Sequence, residues 1–274
     1  MKNTFVYQAE KPIIKLLQIT DPHLFKDESA ELLGVNTQAS FAQVLKEIQQ
    51  ENNQFDVILA TGDLVQDSSD EGYIRFVEMM KPFNKPVFWI PGNHDFQPKM
   101  AEFLNQPPMN VAKHLLLGEH WQALLLDSQV YGVPHGQLSQ HQLDLLKETL
   151  EKNPERYTLV VLHHHLLPTN SAWLDQHNLR NSHELAEVLA PFTNVKAILY
   201  GHIHQEVNSE WNGYQVMATP ATCIQFKPNC DDFTLDNLPQ GWRELSLFED
   251  GRIETEVKRL KTQAFLPNFD SQGY

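Results

Sequence analysis

Five short stretches gather most of the chemically useful side chains of this sequence. They are Asp21-Pro22-His23, Gly62-Asp63, Gly92-Asn93-His94-Asp95, His163-His164-His165 and Gly201-His202-Ile203-His204. Taken singly, each has a plain structural reading. Gly92 to Asp95 is turn chemistry, because Gly and Asn tolerate left-handed backbone and Asp bonds its own main chain. Asp63 could cap a helix, and the three histidines from His163 could line a solvated edge. What links them is position, since each follows an apolar run. That coincidence points to a metal site. Carboxylates, imidazoles and an amide oxygen, without thiolate, suit iron, manganese, zinc or magnesium rather than a structural cysteine–zinc centre. The residues standing at these ends are Asp21, His23, Asp63, Asn93, His94, His163, His202 and His204. That is more than one ion needs, so two ions sharing a carboxylate are expected. Two such ions clamp the attacking and leaving oxygens of a displacement at phosphorus, and a water between them becomes hydroxide near neutral pH.

The apolar runs are the elements that must position these groups. Residues 13–20, 56–60, 86–90, 122–126, 157–162 and 195–200 read as buried strands. Helical periodicity fills the gaps over 37–52, around Tyr73, Phe76, Val77 and Met80 before Pro82, over 138–150, and over 182–190 before Pro191. Strand–helix alternation with near-continuous apolar strands predicts parallel β-α-β pairing, and ligands then bind beyond the carboxyl ends of the strands. Asp21 and His23, two apart in extended chain, would share one face. Residues 24–36 read as a loop. Residues 206–219, turning at Asn212-Gly213, and 242–257, turning at Asp250-Gly251, read as hairpins. Together 205–261 are expected to supply antiparallel strands of a second sheet. One domain over 1–274 follows, with the metal motifs within 13–204 and a tail over 262–274.

Composition narrows the partners. The chain of 274 residues is 41% apolar and carries 35 acidic against 21 basic residues, a formal charge of −14. Such a surface repels nucleic acid and anionic membrane. An anionic substrate therefore needs local positive charge, and two dications beside Asp21 and Asp63 supply it. Cys223 and Cys230 match no zinc spacing and read as reduced thiols. Nothing resembles a signal peptide, and no stretch approaches the roughly 18 apolar residues of a membrane span. A cytoplasmic protein is expected, either a monomer or a homodimer. Residues 24–36 and 168–181, with Trp173, Asp175, His177 and Arg180, are candidate walls of the pocket.

The order Asp-x-His, Gly-Asp, Gly-Asn-His-Asp, strand-His and Gly-His-x-His resembles the calcineurin-like metallophosphoesterases. Further stretches resemble the bacterial class III 3′,5′-cyclic AMP phosphodiesterases over nearly the whole chain. They are Leu17-Gln18-Ile19-Thr20, Gly34-Val35-Asn36-Thr37, the run from Pro91 to Pro98, the run from Leu125 to Gln129, the run from Trp173 to His177, Ala218-Thr219-Pro220 and the terminal Ser271-Gln272-Gly273-Tyr274. The resemblance implies a four-layer α/β/β/α sandwich of two mixed sheets. It implies hydrolysis of cyclic AMP to 5′-AMP with two divalent ions, Fe²⁺ or Mn²⁺ ahead of Mg²⁺ or Zn²⁺. Asp21, His23 and His204 would hold one ion, Asn93, His163 and His202 the other, and Asp63 both. His94 would contact the phosphate and assist the leaving oxygen, and Asp95 would orient His94. His23, Asp63, Asn93, His94 and His204 would meet the substrate. The family places a proline directly after the histidine run, whereas here Leu166 and Leu167 precede Pro168. His163, nearest the strand end, is taken as the inward ligand over His164 and His165.

Overall fold

The central strands are apolar on both faces because both faces are covered. In the second strand Leu17 and Ile19 point one way, into a cluster with Phe41, Val44 and Phe76. Ile14 and Leu16 point the other way, into a cluster with Leu159, Val161 and Leu199. The computed structural model describes residues 4–51 and 54–273. The first half forms β1 (Thr4–Tyr7), β2 (Ile13–Ile19), β3 (Glu31–Leu32), β4 (Val35–Asn36), α1 (Thr37–Gln50), β5 (Val57–Ala60), α2 (Asp70–Met80), β6 (Val87–Trp89), α3 (Gln97–Phe103), β7 (Met109–Asn110), β8 (His114–Leu117) and β9 (Trp121–Leu125). The second half forms α4 (Gln140–Lys152), β10 (Tyr157–Val161), α5 (Ala172–Asp175), α6 (Ser182–Leu189), β11 (Val195–Tyr200), β12 (Val207–Trp211), β13 (Tyr214–Ala218), β14 (Gly241–Phe248) and β15 (Ile253–Arg259).

Two large mixed sheets result. One runs β15-β14-β2-β5-β6-β7 and the other β1-β8-β9-β10-β11-β13-β12. Leu59, Phe88 and Ile90 of the first meet Leu115, Ala123, Leu125 and Ala197 of the second between the sheets. Helices α1 and α2 cover the outer face of the first through Phe41, Val44, Tyr73 and Phe76. Helices α4 and α6 cover the second through Leu143, Leu146, Leu185 and Leu189. Helix, sheet, sheet and helix are the four layers that the family resemblance implied. The parallel pairs β2–β5, β5–β6, β9–β10 and β10–β11 aim their carboxyl ends at one edge of this sandwich.

The helices begin where their sequences cap them. Asn36, Ser69 and Ser139 each accept a backbone N–H from three residues on, through a side-chain oxygen. Thr37 Oγ1 also donates to the His23 carbonyl at 2.9 Å, which ties the start of α1 to a motif residue. Helix 37–52 is seen to Gln50, and Asn52 lies outside the described residues.

The C-terminal strands depart from expectation. The two hairpins separate, with β12 and β13 in one sheet and β14 and β15 in the other. Strand β13 pairs with β11 in parallel, while the strand pairs β12–β13, β14–β15 and β14–β2 are antiparallel. Both sheets needed edge strands, and each hairpin supplied one side. Arg243 of β14 spans the gap. It is fully buried, and all its donors are matched, with Nε to Thr219 Oγ1, Nη1 to Asn208 Oδ1 and Thr255 Oγ1, and Nη2 to the Val207 and Ala218 carbonyls. The presumed loop 24–36 contains the small β3–β4 ladder. Strands β1, β7 and β8 and helices α3 and α5 are too short to show a period in sequence. The tail folds back, with Asn268 N donating to Leu33 O at 2.7 Å and Gln240 Nε2 to Phe265 O at 2.7 Å. Tyr274 of the terminal motif lies outside the described residues. No helix among the described residues is long and apolar enough to cross a membrane.

Candidate active site

Asp63 is the hub. Its Oδ2 lies 3.8 Å from His23 Nε2 and 3.3 Å from His163 Nε2, so one oxygen stands between imidazoles from two strand ends. Its Oδ1 accepts the His94 backbone N–H at 2.8 Å. On the His23 side, His204 Nε2 is 3.2 Å from His23 Nε2 and 3.5 Å from Asp21 Oδ1. On the His163 side, the His202 ring lies 5.0 Å from the His163 ring. Asp21, His23, Asp63, His163, His202 and His204 are all buried, and Asn93 and His94 are half-buried at the mouth.

The backbone does unusual work to bring them together. Asp21, His23, Asp63, His202 and His204 have φ of 52°, 47°, 49°, 69° and 51°. Left-handed backbone at non-glycine residues costs free energy and persists where the surroundings impose it. The extended pair expected for Asp21 and His23 is therefore replaced by two left-handed residues flanking Pro22. The turns convert strand alternation into convergence. Gly62, at φ +100°, and Gly92 allow the strand ends to touch. A Cβ on Gly62 would overlap the His163 ring, and one on Gly92 would overlap the Asp63 carboxylate.

Each histidine is anchored through the nitrogen that faces away from the cluster. His163 Nδ1 meets the Thr61 carbonyl at 2.7 Å, His204 Nδ1 the Ile224 carbonyl at 2.9 Å, and His202 Nε2 the His177 carbonyl at 3.1 Å. A carbonyl only accepts, so these nitrogens carry a proton, and the opposite ones are left to face the cluster. His23 Nδ1 is likewise 2.5 Å from Gln66 Oε1. This is the outer support that fixes metal-binding imidazoles. Among the described residues, buried atoms of the cluster with no hydrogen-bond partner include Asp21 Oδ1, Asn93 Oδ1 and His163 Nε2. Buried polar atoms are normally satisfied, and these are the atoms a cation would engage. Within it, Asp21, Asp63 and His163 form one mutually close set, and His163, His164 and His202 another.

The electrostatics agree. Burial opposes the charge of Asp63, yet His163 and His94 hold its carboxyl well below the usual carboxylate range. Burial likewise disfavours charge on His163, and the Asp63 carboxylate raises it to about 9. The pocket thus favours positive charge between these two groups. His202 is pushed well below its ordinary value by burial and by His164 beside it. The residues present fit a pair of cations.

Two site expectations change. The Asp95 carboxylate accepts from Gly92 N at 2.9 Å, from Leu64 N at 3.2 Å, from Val65 N at 3.3 Å and from the Tyr73 hydroxyl at 3.1 Å. It braces the Asp63 loop against the Gly92 turn instead of orienting the His94 ring. Burial, with Asp63 nearby, lifts its carboxyl to about 7. The His94 ring instead packs edge-on against His23, centroids 5.0 Å apart. The cavity at the cluster, about 440 Å³, is lined by Asn93, His94 and His202. The other expected substrate contacts, His23, Asp63 and His204, lie buried beneath it.

Of the histidine run, His163 faces Asp63. His164 Nδ1 is 2.7 Å from Ser128 Oγ, and His165 Nε2 is 3.8 Å from Asp175. Trp173 and His177 line the cavity, as does Gly273 of the tail. Asp175 instead holds Thr169, Arg180 Nη2 reaches the Gln176 carbonyl, and no residue of 24–36 lines the cavity. The sequence carried no signal for Gln66, or for Cys223, whose buried thiol sits close to His23 and His204.

Comparison with known proteins agrees with this geometry. The family model for calcineurin-like phosphoesterases matches residues 14–206. The chain is 90% identical over 274 residues, all of both chains, to the 3′,5′-cyclic adenosine monophosphate phosphodiesterase CpdA of Haemophilus influenzae. It is 52% identical over 261 residues, 95% of each chain, to the protein of the same name from Escherichia coli. Among solved structures, a dimetal phosphatase from Danio rerio superposes with a TM-score of 0.64 at 14% identity, covering 91% of this chain and 99% of that one. Motif order, four-layer fold and sequence similarity converge, and the chain belongs to the calcineurin-like phosphoesterase family.

Proposed function

We propose that this protein hydrolyses 3′,5′-cyclic AMP to 5′-AMP in the cytoplasm and so lowers intracellular cyclic AMP. The observation that carries the chemistry is Asp63 Oδ2 standing between His23 Nε2 and His163 Nε2, at 3.8 and 3.3 Å. The substrate is supported by the printed activity of relatives at 90% and 52% identity. Asp21, His23 and His204 would hold one cation, Asn93, His163 and His202 the other, and Asp63 both. Mixed carboxylate, imidazole and amide donors suit Fe²⁺ or Mn²⁺, with Mg²⁺ or Zn²⁺ as alternatives. When bound, two such ions neutralise phosphate charge and make water nucleophilic near neutral pH.

The chain's own groups do the rest. The water oxygen bonds to phosphorus, losing a proton to solvent, as the bond from phosphorus to O3′ breaks. His94 lines the cavity and gives its proton to O3′. Its main chain is pinned by Asp63 Oδ1 at 2.8 Å and by Ser68 Oγ, which donates to its carbonyl at 3.0 Å. Asp95 keeps the Asp63 loop and the Gly92 turn in register. Purified protein supplied with Mn²⁺ or Fe²⁺ should convert cyclic AMP to 5′-AMP. Turnover of other phosphate esters with cyclic AMP left intact would refute the substrate.

A further inference from the structure

The cluster engages the phosphate, and nothing in it reads a base. A 3′,5′-cyclic nucleotide is compact and rigid. Its phosphate ring is fused to the ribose, and its base leaves from the far side of the sugar. With the phosphate at Asn93 and His94, the base must therefore lie in the same cavity. The same cavity is lined by Trp173, Phe226 and Phe233. The rings pack edge to face. Trp173 and Phe226 centroids are 5.0 Å apart at 90°, and Trp173 and Phe233 centroids are 5.0 Å apart at 66°. Phe226 is buried and stacks flat on His204, centroids 4.3 Å apart, which joins the aromatic wall directly to the cluster.

The wall is built rigidly. Trp173 stands on α5, and its backbone N–H donates to Asp231 O at 3.1 Å. Phe226 and Leu235 form an antiparallel bridge that closes the loop carrying Phe233. Trp173 remains half-buried, so its indole has ring surface left to offer. The Trp173 indole N–H is buried with no hydrogen-bond partner, and a purine carries ring-nitrogen acceptors.

We infer that this aromatic wall is the base subsite, where the purine of the cyclic nucleotide stacks against Trp173 beside Phe226. The inference rests on the reading of cyclic AMP as substrate. A neutral base needs no charged partner, which suits a wall with no lysine or arginine among its described residues. Stacking also orients the nucleotide, so that O3′ faces His94.

Equilibrium binding to the Mn²⁺-loaded protein tests it, using 5′-AMP and ribose 5-phosphate. The two ligands share sugar and phosphate and differ in the base. Wild type should bind 5′-AMP more tightly by about 5- to 150-fold, the worth of one base–aromatic stack. Trp173→Ala should collapse that ratio towards one and leave ribose 5-phosphate affinity unchanged, while Trp173→Phe should retain most of it. Should Trp173→Ala fail to fold, Trp173→Leu must narrow the ratio in its place. A wild-type ratio near one, or a ratio unmoved by these variants, overturns the subsite. Because binding is read apart from turnover, a protein that keeps the base preference but leaves cyclic AMP intact would refute the substrate and spare the subsite. Loss of the preference in an active cyclic AMP hydrolase would do the reverse.

Discussion

His94 differs from its neighbours in having its ring at the cavity mouth while its main chain is fastened to Asp63. Replacing it should separate binding from chemistry. His94→Ala should retain its metal on elemental analysis and lose kcat by about 10²- to 10⁴-fold, the usual worth of a general acid. Loss of metal would instead place His94 among the ligands. Gly92→Ala tests the opposite failure. Its Cβ would strike the Asp63 carboxylate, so metal content should fall although no polar group has been removed. At this scale, residue type and order were legible in the sequence. Asp21, His23, Asp63, Asn93, His163, His202 and His204 follow apolar strands, and strand ends converge in α/β sheets. Backbone conformation was not legible, because Asp and His rarely adopt left-handed φ and nothing local requires it of them. Asp95 was misread for a related reason. Adjacency to His94 suggested a partner, whereas the turn points its carboxylate back at Gly92, Leu64, Val65 and Tyr73.

The strands owe their placement to a few contacts that bridge layers. Arg243 satisfies every donor with neutral acceptors from β12, β13, β15 and Thr219. Arg243→Ala leaves the buried Thr219 hydroxyl and Ala218 carbonyl without this donor, and should destabilise the fold by roughly 2–4 kcal/mol, read as a lowered denaturant midpoint. A midpoint unchanged from wild type would show that water replaces the guanidinium. Lys113 secures the end of β6 similarly. Its Nζ donates to the Trp89 carbonyl and sits 3.6 Å over the Trp89 ring. Burial pushes its ammonium from the ordinary 10.5 down to about 7, with the Asp127 carboxylate pulling the other way. The unfolded chain therefore binds the extra proton between these two values, and this group makes stability rise with pH across that window. Lys113→Met should flatten that part of the stability curve, and an unchanged slope would assign the proton elsewhere. Hairpins were readable as hairpins from Asn212-Gly213 and Asp250-Gly251. Their destination was not. A two-residue turn says which strands pair with each other and nothing about which sheet lacks an edge.

On the scale of the molecule, two sheets converge on one edge and bury His23, His163, His202, His204, Asp21 and Asp63 there. The surrounding surface carries a formal charge of −14. Such a protein attracts an anion only if the cluster itself holds positive charge. The layered architecture was foreshadowed by strands apolar on both faces, which need cover on both sides. The aromatic wall was half visible, since Trp173 stood in a stretch expected near the pocket, but Phe226 and Phe233 reach it through a loop with no periodicity. The tail returns over Leu33 to bring Gly273 to the same cavity, a long-range closure that no local pattern encodes. The central claim is a shared two-cation site that hydrolyses cyclic AMP. Its most direct test is titration of metal-stripped protein with Mn²⁺ while 5′-AMP formation is followed. No turnover without metal, with activity reaching its plateau at two ions per chain and not restored in Asp63→Asn, is the predicted result. Full turnover by stripped protein, or a plateau at one ion per chain, would contradict it.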